Sequence, residues 1–151
     1  MEKETKTKTS RRIYLSGPIG EVNSIEQFNA IKVIFQLAEK SLKKYMEDEP
    51  LFFNPTENGL SWNRIRSEHM KVDTTALAQC TSIYLFGDWI KSEGCLFELQ
   101  CARQFGIEIL REQGTPNPND VTLTYNGQKL VSVEYTARIL LNYEQKDNLN
   151  F

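Results

Sequence analysis

The stretch Ile83–Leu110, IYLFGDWIKSEGCLFELQCARQFGIEIL, has few ways to fold. Ile83, Tyr84, Leu85 and Phe86 form an unbroken apolar run, the pattern of a strand buried on both faces. Gly87 and Asp88 end the run. Ser92 is placed to cap a helix, with Glu93 in the first turn, where a carboxylate complements the helix dipole. Cys95, Leu96, Leu99, Ala102, Arg103 and Phe105 continue at helical spacing, and Gly106 supplies a stop. Ile107, Ile109 and Leu110 open another strand. Strand, helix and strand in this order make a βαβ unit, which predicts parallel strands joined by a right-handed crossover.

Within that helix Glu98 breaks the packing pattern. It shares a face with Cys95 and Ala102, three residues before it and four after it. Small neighbours around a carboxylate suit the close approach of a ligand. In open α/β sheets, helix N-termini and the carboxyl ends of strands share one edge, where ligands bind. The competing reading is a solvated helix glutamate, since charged residues are mostly exposed.

The chain has 151 residues and a net charge of −2, enough for one domain and no argument for a nucleic-acid or membrane surface. No apolar run is long enough to span a bilayer, and the start, MEKETKTKTSRR, lacks the apolar stretch of a secretory signal. Cys80, Cys95 and Cys101 cannot all pair and have no metal-ligand spacing, so free thiols in a cytoplasmic protein are expected. His69 is the only histidine, which argues against a structural zinc site. A solvent-facing or locally bonded His69 is expected.

Residues 1–11 read as a polar, disordered tail, and residues 12–151 as a single domain. Arg12–Ser16 is the first strand. It runs into Gly17-Pro18-Ile19-Gly20, a turn that can present N–H groups to an anion or can simply connect strand to helix. It is not a Walker A or GxGxxG sequence. Ser24 and Gln27 form a capping box. Ile25, Phe28, Ile31, Ile34, Phe35, Leu37, Ala38 and Leu42 then mark an amphipathic helix to about Met46. Leu51–Phe53 is a second strand, followed at the same sheet edge by Asn54-Pro55. From Trp62 to Gln79 the pattern is helical, in one or two pieces, with Ile65, Met70, Ala76 and Leu77 inward. Asp73 either caps a second piece or adds a second carboxylate to a site. Residues 111–151 form an extension. In it, Asn126-Gly127 signals a β-hairpin and Glu134–Tyr143 a short helix, either an appendage or a dimer contact.

IYLSGPIG, FNP and LFGDWIKSEGCLFELQCARQFGI together resemble the nucleoside 2-deoxyribosyltransferase-like proteins, in particular a phage and bacterial subgroup with an SGP turn and a GW-S-G-E-A stretch. The resemblance spans about Arg12 to Leu110. It implies a three-layer α/β sandwich with a central, mostly parallel sheet, flavodoxin- or Rossmann-like, carrying the C-terminal hairpin and helix. It also implies a glutamate nucleophile in a G-x-x-x-E-x-x-x-A helix, matched by Gly94, Glu98 and Ala102. Asp73 matches the family's aspartate that assists the leaving base, and Tyr14 matches a tyrosine beside the nucleophile. Ser16, Gly17, Pro18 and Ile19 match the substrate-holding turn. Asn54, Asp88, Trp89, Ser92 and Gly94 complete the expected binding set, with Trp89 stacking on a base or covering the core.

The implied activity is cleavage or transfer at the N-glycosidic bond of a 2-deoxynucleoside or nucleotide. Such a reaction uses two carboxyl groups and calls for no metal and no cofactor. Gly20 stands where the monophosphate hydrolases carry a phosphate-binding arginine, which makes a free nucleoside or another ligand more plausible. A homo-oligomer is expected by analogy. The alternative is a binder of nucleotides or nucleotide-derived signals that does not turn them over.

Overall fold

A computed structural model describes residues 11–121 and the backbone pairing of 124–125 with 128–129. The expected N-terminal tail and the helix at Glu134–Tyr143 lie outside the described residues. β1 (Arg12–Ser16), β2 (Leu51–Phe53), β3 (Ser82–Leu85) and β4 (Glu108–Arg111) form one sheet in the order β2-β1-β3-β4. All three pairings are parallel, with Tyr14 opposite Phe53 and Ile83, and Ile83 opposite Ile109. α1 (Ile25–Lys43), α2 (Arg66–Ala78) and α3 (Glu93–Phe105) cover the sheet. β5 (Thr124–Tyr125) and β6 (Gln128–Lys129) pair antiparallel, Tyr125 opposite Gln128, as a hairpin in this stretch requires.

Side chains alternate across the sheet and build a core on each face. Ile13, Leu15, Tyr84, Phe86 and Leu110 pack under Phe35 and Leu42 of α1. Tyr14, Ile83, Leu85 and Ile109 point the other way, against Leu77 of α2 and Cys95, Leu99 and Ala102 of α3. The result is an α/β three-layer sandwich, with α1 on one face and α2 and α3 on the other. Among the described residues no helix is long and apolar enough to cross a membrane. The three cysteines are free thiols, Cys80 and Cys95 buried and Cys101 partly so.

The helix ends follow local chemistry. Ser24 caps α1 through Gln27 N (3.1 Å), and the Gln27 side chain answers by accepting from Asn23 N (2.8 Å). α1 stops at Lys43 rather than near Met46, because Lys44, Tyr45 and Met46 donate to carbonyls three residues back and tighten the last turn. Ser92 caps α3 through Cys95 N (3.2 Å), and Gly106 closes it in the left-handed region at φ 72°.

Two expectations are corrected. α2 is one helix that begins only at Arg66, so Asp73 lies inside it and caps nothing, while Ile65 is exposed. The apolar stripe of α1 is wider than the face the sheet can cover. Phe35 and Leu42 are buried, Ile31 and Ala38 lie against them, and Ile25, Ile34 and Leu37 stay exposed.

The β1–α1 turn is held by a close approach. A Cβ at Gly17 would lie inside the van der Waals envelope of the Phe86 ring. That ring cannot retreat, because it packs on Tyr84 (centroids 5.6 Å) and edge-on to Phe35 (5.0 Å). Gly17→Ala is expected to destabilise the fold by about 1–3 kcal/mol through overpacking. Thermal denaturation reads this out; an unchanged melting temperature would show that the turn yields freely.

Candidate functional site

β1 and β3 are neighbours, but the chain leaves β1 for β2 on the other side before returning. The strand order therefore reverses between them, and the loops at their carboxyl ends diverge into a crevice. A cavity of about 1000 Å³ opens there. Its walls are the Gly17–Val22 turn, the loop ahead of α2 with the first turns of α2, and the N-terminal turns of α3.

Glu98 is the centre of the arrangement. Tyr14 and Ser16 are two apart on β1 and so face the same side, toward α3. Tyr14 Oη donates to Glu98 Oε2 and Ser16 Oγ to Oε1, both at 2.7 Å. Each carboxylate oxygen thus accepts one hydroxyl and keeps a further lone pair. Burial pushes the Glu98 carboxyl up to about 7, against the two hydroxyls and the Arg66 charge, which favour ionisation. Asp73 pushes it the same way as burial.

Tyr14 has no exposed surface, and its ring stacks on Phe53 (centroids 5.3 Å, 18° between planes). Burial first, and the Glu98 charge second, hold its phenol well above the usual tyrosine range. It therefore stays a hydrogen-bond donor. Asp73, across the cavity on α2, is also raised by burial, with Asn58 and His69 pulling the other way. Two carboxyl groups that resist ionisation face one hollow.

Among the residues expected at the site, Gly17, Pro18, Ile19, Asp73, Asp88, Ser92, Gly94 and Glu98 line the cavity. Tyr14 and Ser16 lie beneath its floor and act on it through Glu98. Two residues fall elsewhere. Asn54 is buried, and its Oδ1 accepts from Thr56 N (2.9 Å) and Thr56 Oγ1 (2.7 Å), so it shapes the turn after β2. Trp89 has no exposed surface and sits in the core with Leu85 and Leu99. It covers the core because a short 3₁₀ turn at Trp89–Lys91 folds the ring inward before α3 begins.

The chain of residues 11–111, from the edge of β1 to the end of β4, matches the family described as Domain of unknown function (DUF4406). The protein belongs to this family. The DUF4406 region therefore contains the whole parallel sheet and every residue of the cavity wall, and leaves the β5–β6 hairpin outside. A search of curated proteins finds no match to the chain.

The DUF4406 cavity also contains residues that the sequence did not mark as site residues: Trp62, Arg66, His69, Thr74 and Phe97, with His69 bonded locally to Asn58 and Ser61. The signal for two of them was helical spacing. His69 and Arg66 lie four and seven residues before Asp73 and so share its face of α2. Trp62 and Asn58 precede the helix, and no periodicity reaches them.

Proposed function

We propose that this DUF4406 protein breaks or exchanges the N-glycosidic bond of a 2-deoxynucleoside or nucleotide, with Glu98 as the nucleophile. The observation that carries this reading is the Glu98 carboxyl, gripped by Tyr14 and Ser16 at the wall of a cavity large enough for such a ligand. The resemblance to nucleoside 2-deoxyribosyltransferase-like proteins supports the substrate class. Departure of the base builds positive charge at C1′ of the sugar. An ionised Glu98 attacks C1′ through a lone pair that neither hydroxyl uses, and the C–N bond breaks. Asp73 gives its proton to the departing base. Water then attacks C1′, passes a proton back to Asp73 and displaces Glu98 to free the sugar, or a second base does the same and yields a new nucleoside.

The test is incubation with 2-deoxynucleosides and their monophosphates, with and without a free acceptor base, followed by chromatography of the bases. Release or exchange is the expected result. A panel in which no base is freed or exchanged, while a nucleoside or nucleotide still raises the melting temperature, would replace catalysis by binding alone.

A further inference from the structure

Asp73 does not sit free on α2. Asn58, in the loop ahead of the helix, donates from Nδ2 to Asp73 Oδ1 (2.9 Å), and the same nitrogen lies 3.1 Å from His69 Nδ1. The amide cannot be turned round, because its Oδ1 accepts from Leu60 N (3.0 Å). A primary amide has two hydrogens. One goes to Asp73, so the other goes to His69 Nδ1, which must then be bare. The imidazole proton is left on Nε2, which donates to the Ser61 carbonyl at 3.1 Å. Every donor in the chain of contacts has an acceptor, and only one arrangement of protons achieves this.

We propose that Asn58 is a positioning residue for Asp73: clamped by His69, it occupies Oδ1 with a donated hydrogen and so confines the Asp73 proton to Oδ2. A protonated Oδ1 would set its hydrogen against that of the amide. The proton that reaches the leaving base is thus held on one defined oxygen before a ligand arrives, which is the preorganisation that makes acid catalysis efficient. This role rests on the glycosidic reading above. The clamp itself does not, since it is a statement about protons in the free protein.

His69 is the only histidine in the chain, so its ring signals need no assignment. Nitrogen NMR of the labelled full-length protein at neutral pH is expected to show the Nε2–H tautomer. Asn58→Ala is expected to release the ring into a mixture of both tautomers and to lower kcat by about 10- to 100-fold with KM within about twofold. An Nδ1–H ring in the wild type overturns the proposal, even if Asn58→Ala does not fold. An unchanged tautomer in Asn58→Ala, or a loss expressed in KM alone, overturns it as well. If the wild type frees no base from any substrate, the glycosidic reading fails and the tautomer measurement still decides the clamp.

Discussion

Glu98→Gln is expected to remove base release or exchange by at least about 10³-fold and, in the same protein, to raise the melting temperature. The first effect follows from replacing an anionic nucleophile by a neutral amide that cannot form the covalent link to C1′. The second follows from proton linkage. The Glu98 carboxyl moves from 4.5 in the free side chain to about 7 in the fold, chiefly through burial. Between these values the folded protein holds a proton that the unfolded chain releases, so stability falls as pH rises across the window. Above it, the charged carboxylate costs the fold roughly 1–3 kcal/mol, with cavity water moderating the cost.

Glutamine carries no such charge. Its oxygen can accept from Tyr14 and its nitrogen can donate to Ser16, so neither hydroxyl is orphaned. A rise of about 3–10 °C is expected at pH values above 7, shrinking toward zero near pH 4. Melting curves of wild type and variant across this range check it. An equal difference at both ends, or a less stable variant, would mean that the buried Glu98 charge does not cost the fold stability.

Asp73→Asn is expected to change the shape of the pH profile as well as its height. Burial raises both carboxyls, and the Asp73 charge further disfavours that of Glu98, so over a range of pH the pair holds one proton between them. The working form has that proton on Asp73 and a charge on Glu98. Wild-type activity should therefore be bell-shaped. It falls at low pH when the pair takes a second proton, and falls again at higher pH when the last proton leaves.

With asparagine at 73 no acid remains to be lost. The high-pH fall should vanish, the maximum should drop by about 10²–10⁴-fold, and activity should rise to a plateau as Glu98 ionises. A 2-deoxyriboside whose leaving group departs as a stable anion should lose far less. If Asp73→Asn retains the high-pH decline, the proton comes from another group.

Much of this architecture was legible in the residues because it depends on local rules. The unbroken apolar runs are strands, Ser24 and Ser92 cap helices through their own side chains, and Gly106 turns left-handed to end one. Glu98 stood out as a charge on an otherwise packed face. Other positions were not legible, since their environment comes from distant parts of the chain. Ile34 and Leu37 belong to the same apolar stripe as Phe35, yet only Phe35 meets the sheet. Trp89 and Asp88 are adjacent, yet one is fully buried and the other lines the cavity.

The order of amino acids by itself determined the α/β class, the positions of the four strands and the rim at which a carboxylate would stand, because hydrophobic period, caps and breakers act over a few residues. Only the tertiary structure decided what that carboxylate is. Glu98 meets Tyr14 and Ser16 across more than eighty positions of chain, and Asn58 meets Asp73 across a loop with no repeating pattern. Burial and hydrogen bonding, which set a proton's affinity, are properties of what packs around a group, and no local stretch of sequence contains them.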